Sequence, residues 1–313
     1  MTTLNFCSSQ RLLLMCLAVA VLPAPEQLHA QFTDPHNYDN TAVGINALEL
    51  SYAYAHSDAS IDTSLIVAGA SFNLNQGIID YTRYFGLLHR LWWVEGTLPV
   101  AGLGGSLSGT NISRSITGLG DSSYTLAALL KGGPALSVAQ FENYKPTTIV
   151  GASLTITAPT GLYSSNKLLN LGSNRWSFNP QFAVSHPFGT GQKWQLDTYA
   201  NAAFYTENSS YQRVTILRQQ LLPGLEGHIS YSVSDSLWAS LDTRYSFGGD
   251  TFVNGVDQNN RQQNLILGSE VNISLNKQNS LVFEFAKPLV HRNGPTYTGF
   301  AVKYDYVWGK GYK

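Results

Sequence analysis

Glu226 and His228 stand two positions apart, and so do Asp242 and Arg244, with the short run Val233 to Ser236 between the stretches that hold them. In an extended chain, positions i and i+2 share a face. Asp242 and Arg244 therefore have the spacing to pair, and so do Glu226 and His228 on the neighbouring stretch. Brought together, four such groups read in two ways. One is an acid–base cluster; the other is a ladder of ion pairs that perturbs pKa values and catalyses nothing. The ladder is the commoner use, and it is the expectation.

Other chemistries find less support. GGSLSG (Gly104 to Gly109) is close to a nucleophile elbow, but Ser108 stands where that turn needs its second glycine. GLGGSL (Gly102 to Leu107) misses the dinucleotide fingerprint at Leu107. Both suit a flexible loop, outside the fold or tucked into it. The histidines show no H-x-x-x-H spacing and are not paired with cysteines, so neither a metal nor a cofactor is expected.

The elements that must hold the charged groups follow from period-two alternation. From Trp176 the even positions read Trp, Phe, Pro, Phe, Val, His, Phe to Phe188, and the odd ones are small or polar. After the turn Gly189 to Gly191, Trp194, Leu196, Ala200 and Phe204 oppose Gln195, Asp197, Tyr199 and Asn201. Similar segments hold Leu225 to Val233, Leu237 to Phe247, Leu265 to Leu275, Leu281 to Phe285, Phe300 to Trp308 and, upstream, Leu48 to Tyr54. Trp92 to Glu95, Ser64 to Asn73, Ile79 to Phe85, Tyr124 to Lys131 and Thr148 to Ala158 complete the set. Short connectors such as Val233 to Ser236 and Asn276 to Asn279 contrast with long ones at Gly102 to Gly120, Thr160 to Asn174, Glu207 to Leu217 and Gly248 to Arg261.

Bulk properties decide which all-β class this is. Met1 to Arg11 is followed by the apolar run Leu12 to Leu22 and a polar stretch ending at Ala30, the order of a secretory signal peptide. The run is shorter than the roughly 20 residues that span a bilayer. Residues 1–30 are therefore expected to be cleaved, leaving 31–313 as one domain. Cys7 and Cys16 leave with the signal, which excludes disulfides. Net charge is −1, so nucleic acid is not an expected partner. Only 12% of residues are charged and 12% are aromatic. An exported chain poor in charge, rich in aromatics and free of long apolar runs fits a transmembrane antiparallel up-and-down β-barrel of about 12 strands. A soluble secreted all-β domain is the alternative, but long segments with aromatics at their ends favour the barrel.

In that barrel, an ionised group facing lipid is costly by a few kcal/mol, so the charged positions must point inward. Glu49, Glu95, Asp197, Glu226, His228, Asp242, Arg244, Glu270, Glu284, Lys303 and Asp305 are the expected lumen set, with acid in excess. They line a polar or cation-preferring path or fill a narrow barrel with a paired network. Arg175 and Trp176 mark the mouth. Trp176 suits an interfacial girdle with Arg175 beside headgroups; the alternative is an Arg175 that contacts solute.

From about Tyr81 onward the chain resembles a family of bacterial outer-membrane proteins labelled transporters of the MetA pathway of phenol degradation. GLGD (Gly118 to Asp121), GGPAL (Gly132 to Leu136), APTGLY (Ala158 to Tyr163), LGSNRW (Leu171 to Trp176) and FGGDT (Phe247 to Thr251) carry the likeness. The resemblance implies a barrel in the bacterial outer membrane, set in the lipid bilayer, that passes a small-molecule solute, aromatic or hydrophobic. It also implies insertion by the outer-membrane assembly machinery, which in such barrels reads a final aromatic; here Tyr312 precedes Lys313. The function expected is passive uptake. A barrel enzyme acting on lipids, with His186 on the lipid face, and a structural or adhesive barrel are the alternatives.

Overall fold

The computed structural model describes residues 33–57, 70–167, 169–294, 297–309 and 311. The expected signal peptide and the final Tyr312–Lys313 lie outside them. Strands run β1 Ile45–Ser57, β2 Ala70–Leu87, β3 Arg90–Leu107, β4 Ser113–Leu119, β5 Ser123–Lys131, β6 Ile149–Thr157, β7 Ser177–Phe188 and β8 Trp194–Tyr205. They continue as β9 Asn208–Tyr211, β10 Thr215–Gln219, β11 Leu222–Ser234, β12 Leu237–Gly248, β13 Thr251–Val253, β14 Val256–Asp257, β15 Gln262–Ser274, β16 Asn279–Arg292 and β17 Thr298–Gly309. One antiparallel sheet takes the order β2-β1-β17-β16-β15-β12-β11-β8-β7-β6-β5-β3-β4, and β2 also pairs with β3. That last pairing closes a 12-strand barrel and removes the sheet edges that lipid cannot satisfy.

The β4 strand is not a separate stave. It pairs with Val100 to Ser106 of β3, while β5 pairs with Trp92 to Thr97 of the same strand. The two are successive halves of one stave, broken at Gly120 to Ser122.

The chain's first strand and last strand meet where Ile45 faces Gly309. Leu88–His89 and the turns after β7, β11 and β15 lie at this same turn end. The turn end also carries one longer connection, 132–148, with a helical turn at Val138–Phe141, and the other rim, the loop end, carries the remaining longer excursions. A small sheet in the order β14-β13-β10-β9 rises there from two of them. Three expectations change. Gly102 to Gly120 is no loop, because β3 and β4 carry it as a hairpin with its tip between Leu107 and Ser113. GLGGSL is therefore strand, which suits small residues in a tight pair, and GGSLSG runs from the strand into the hairpin tip at Ser108 and Gly109. Of the separate strands expected at Ser64 to Asn73 and Ile79 to Phe85, Ala70 to Asn73 joins the second in the single β2, whose alternation persists through Gly77, while residues 64–69 lie outside the described residues.

Alternation sorts the side chains as a bilayer requires. Leu50, Tyr52, Phe182, Leu225, Leu241 and Phe300 face outward and are exposed, while Ser51, Ala53, Gln181, Glu226 and Asp242 face inward and are buried. Two apolar clusters occupy the interior. At the turn end Tyr38, Leu91, Trp93, Ala127, Leu129, Ile149, Ala183 and Tyr199 pack together. Toward the loop end lie Phe72, Leu74, Leu103, Ile116, Leu169, Leu171 and Tyr297, with Ala55 and Ala101.

Candidate functional site

Residues 33–43 do not lie outside the barrel. They run into its lumen from the turn end and cross it. Thr33 donates its backbone N–H to Glu226 Oε2 at 2.6 Å, and its hydroxyl accepts from Gln181. The Asp34 carboxylate receives Lys303 Nζ at 2.6 Å. His36 takes φ = 65°, a conformation unusual for residues other than glycine, and its backbone N–H reaches Asp197. Its ring contacts Asp39 at 2.9 Å and Ser230 at 2.8 Å and lies 4.5 Å from the Trp238 ring. The Tyr38 hydroxyl donates to Gln181 and shares a bond with Ser153. Its ring packs on Trp93 and Tyr199. GGPAL then hooks the segment into β1: Val43 N–H donates to Leu136 O, and Asn40 to Pro134 O.

Two groups of this segment have shifted pKa values. Burial alone would lower the His36 pKa, but the hydrogen bond to Asp39 and the charges of Asp39 and Asp197 outweigh it, and the net shift is upward. Burial pushes the Tyr38 phenol up.

The four groups spaced two apart do meet, most closely across strands, while along one strand His228 Nε2 also lies 3.7 Å from Glu226 Oε2. Register places Glu226 opposite Arg244 and His228 opposite Asp242. Arg244 pairs with Glu226, and His228 Nδ1 lies 2.9 Å from Asp242 Oδ1. Asp242 and Arg244 do not pair with each other, because facing residues in a ladder sit closer than i, i+2 neighbours along a strand. Asn201 and Thr33 also donate to Glu226, so the ladder grips the inserted segment.

The remaining lumen set divides. Glu284 and Asp34 flank Lys303, with Glu270 beside them. Register sets Glu49 between Asp305 and Asp80, and Glu95 faces the main cavity. That cavity, about 640 Å³, lies between the inserted segment and the loop end. One side is hydroxyl-rich, with Thr97, Thr125, Ser153 and Thr155; the other bears Glu49, Glu270, Asp305, Arg244 and Lys303.

Arg175 also lines this cavity, which corrects the expectation that it sits beside headgroups. Its Nη2 donates to Gln219 at 2.5 Å and its guanidinium lies 4.3 Å above the Tyr205 ring. The chain is still in a loop at Arg175, so strand alternation does not fix its direction. Trp176, next to it, faces outward and is exposed. The loop that carries them is knotted by Asp121. Its carboxylate accepts from Gly161 N–H, Ser173 N–H and Ser173 Oγ at 2.6 to 2.8 Å. A Cβ on Gly161 would lie 2.7 Å from the Gly120 backbone, and one on Gly172 would lie 2.6 Å from Gly161. Three motifs, GLGD, APTGLY and LGSNRW, thus meet at one point, and Asp121 faces the cavity.

His186 faces outward, bonded to the Thr148 hydroxyl and stacked near Phe188. Among the described residues no carboxylate orients its ring, as a hydrolytic dyad requires. Sequence reasoning missed the inserted segment, although TDPHNYDN, directly before the first strand, is polar and too short for a stave.

The family model described as "Putative MetA-pathway of phenol degradation" matches residues 53–304. Among solved structures, the COG4313 outer membrane channel from Pseudomonas putida F1 is similar, with a TM-score of 0.76 and 23% identity over 88% of this chain and 100% of that one. The β domain of the Bordetella autotransporter BrkA gives a TM-score of 0.49 at 11% identity, over 85% of this chain and 100% of that one. The KdgM porin gives 0.46 at 8% identity, over 83% and 98%. No curated protein matches the chain.

Proposed function

From the premise that this chain belongs to the family described as "Putative MetA-pathway of phenol degradation", we propose that it is an outer-membrane channel for passive entry of small aromatic compounds of phenol size. The observation that carries the reading is the cavity of about 640 Å³ with its hydroxyl-rich wall and the Arg175–Tyr205 pair. Hydroxyls and amides supply hydrogen bonds to a phenolic OH, and the flat pair offers a stacking surface. The excess of carboxylates along the path disfavours anions. A phenol, with a pKa near 10 like tyrosine, is neutral at pH 7 and escapes that repulsion.

The short-turn end is assigned to the periplasm and the loop end to the exterior, as in bacterial barrels. A solute that enters from the loop end then meets the inserted segment, so through-passage requires that segment to shift. The apolar outer surface supports placement in the outer membrane. Proteoliposomes test the reading: those holding the chain should take up phenol faster than empty vesicles and faster than they take up benzoate. Vesicles equally impermeable to phenol and to sugar-sized solutes would overturn it.

A further inference from the structure

We propose that Asp34, Glu270 and Glu284 form a divalent-cation site, taking Ca²⁺ in preference to Mg²⁺, that fastens the inserted N-terminal segment to the barrel wall. The site does not depend on which solute the channel passes. One carboxylate comes from the segment, one from β15 and one from β16, and an oxygen of each lies within 4.8 Å of the others. They border a cavity of about 50 Å³ that Ser51 and Ser269 also line. A water-sized occupant needs roughly 10–15 Å³ of such volume, so an ion with a water fits.

Charge and hydrogen bonding both call for an occupant. Lys303, 1% exposed, pairs with Asp34 and Glu284. Three carboxyl groups thus stand around one ammonium. Glu270 is 5% exposed and faces the cavity. Among the described residues its carboxylate has no hydrogen bond and no ion pair, although buried charges are otherwise paired or bound to metal. Asp242 borders the same cavity, but His228 and Ser240 already engage its oxygens.

All-oxygen ligands select a hard cation, and size selects between two. Oxygens on opposite sides of Ca²⁺ lie about 5 Å apart, and those across Mg²⁺ about 4 Å. Oxygens within 4.8 Å of one another leave room for the larger ion. The ligands stand on two strands and a terminal segment, so no sequence spacing announces them.

The test is calorimetric titration of Ca²⁺ and Mg²⁺ into the full chain, stripped with chelator and held in detergent. One Ca²⁺ per chain is expected, with a dissociation constant in the range of about 10⁻⁴ to 10⁻³ M typical of extracellular sites, and weaker Mg²⁺. Glu270→Gln should weaken Ca²⁺ by about tenfold or more, and Lys303→Gln, which removes the competing ammonium, should tighten it. Glu207→Gln on the loop end should change nothing. The opposite sign at Lys303 decides the matter if Glu270→Gln fails to fold. Absence of Ca²⁺ binding up to about 10 mM, well above that range, overturns the proposal; so does Glu270→Gln binding Ca²⁺ as the parent does, or Lys303→Gln binding it no more tightly. A spin label at Asn37→Cys reads the fastening: Ca²⁺ should slow its motion, and unchanged motion would leave no role for the ion in holding the segment.

Discussion

Two pieces of non-strand chain enter this barrel, one at each end, and they are held by opposite means. At the turn end, residues 33–43 are held by charge: Glu226, Asp197 and Lys303 take the backbone and side chains of Thr33, His36 and Asp34. At the loop end, residues 158–176 are attached at both sides and held by close approach. Gly161 and Gly172 press on each other and on Gly120, and a single carboxylate, Asp121, gathers three donors. A segment held by ion pairs can leave the lumen as a unit when its charges change. A closed loop held by glycine contacts has nowhere to go without breaking the wall beside it. The first is built to move and the second to stay.

Several changes would break or sharpen that contrast, and deletion of residues 33–42 is the most drastic. The barrel should still fold, because its ladder closes without them, and single-channel conductance in planar bilayers should rise several-fold; unchanged conductance would deny the segment its place in the path. Asp121→Ala should cost about 3 kcal/mol of stability in reversible unfolding from liposomes, since three bonds to a buried charge are lost. Gly161→Ala should cost about 1–3 kcal/mol by overpacking and leave conductance alone. Glu226→Gln should weaken docking of the segment by about 2 kcal/mol, read as faster hydrogen exchange at residues 33–40 with the barrel strands unaffected.

The smallest effect is pH-dependent. Because the folded pKa of His36 is raised above its ordinary 6.5, its contribution to docking is fully present below about 6.5 and is lost as pH rises through the folded value. Protection of residues 33–40 relative to the free-chain exchange rate should therefore fall from mildly acidic to mildly alkaline pH in the parent, and stay flat in His36→Gln.

The barrel was legible in the sequence because its physics is local. Period-two alternation, short turns such as Gly189 to Gly191, and the cost of charge against lipid together placed the strands and turned Glu49, Glu226, Lys303 and their neighbours inward. The alternation says nothing about residues without it, which is why Arg175 was expected beside headgroups although it lies over Tyr205. It also mistook a hairpin for a loop at Gly102 to Gly120, where small residues mute the apolar signal.

Which inward groups meet was beyond the reach of one-dimensional spacing. Pairing of Glu226 with Arg244 rather than of Asp242 with Arg244 depends on register between strands, and the meeting of Asp34 with Lys303 joins residues 269 apart. The sequence by itself determined a membrane-facing exterior and a charged interior, because lipid imposes that sorting on every strand separately. Only the tertiary structure decided that residues 33–43 fill part of that interior, because contacts made by a segment that belongs to no strand leave no period to read.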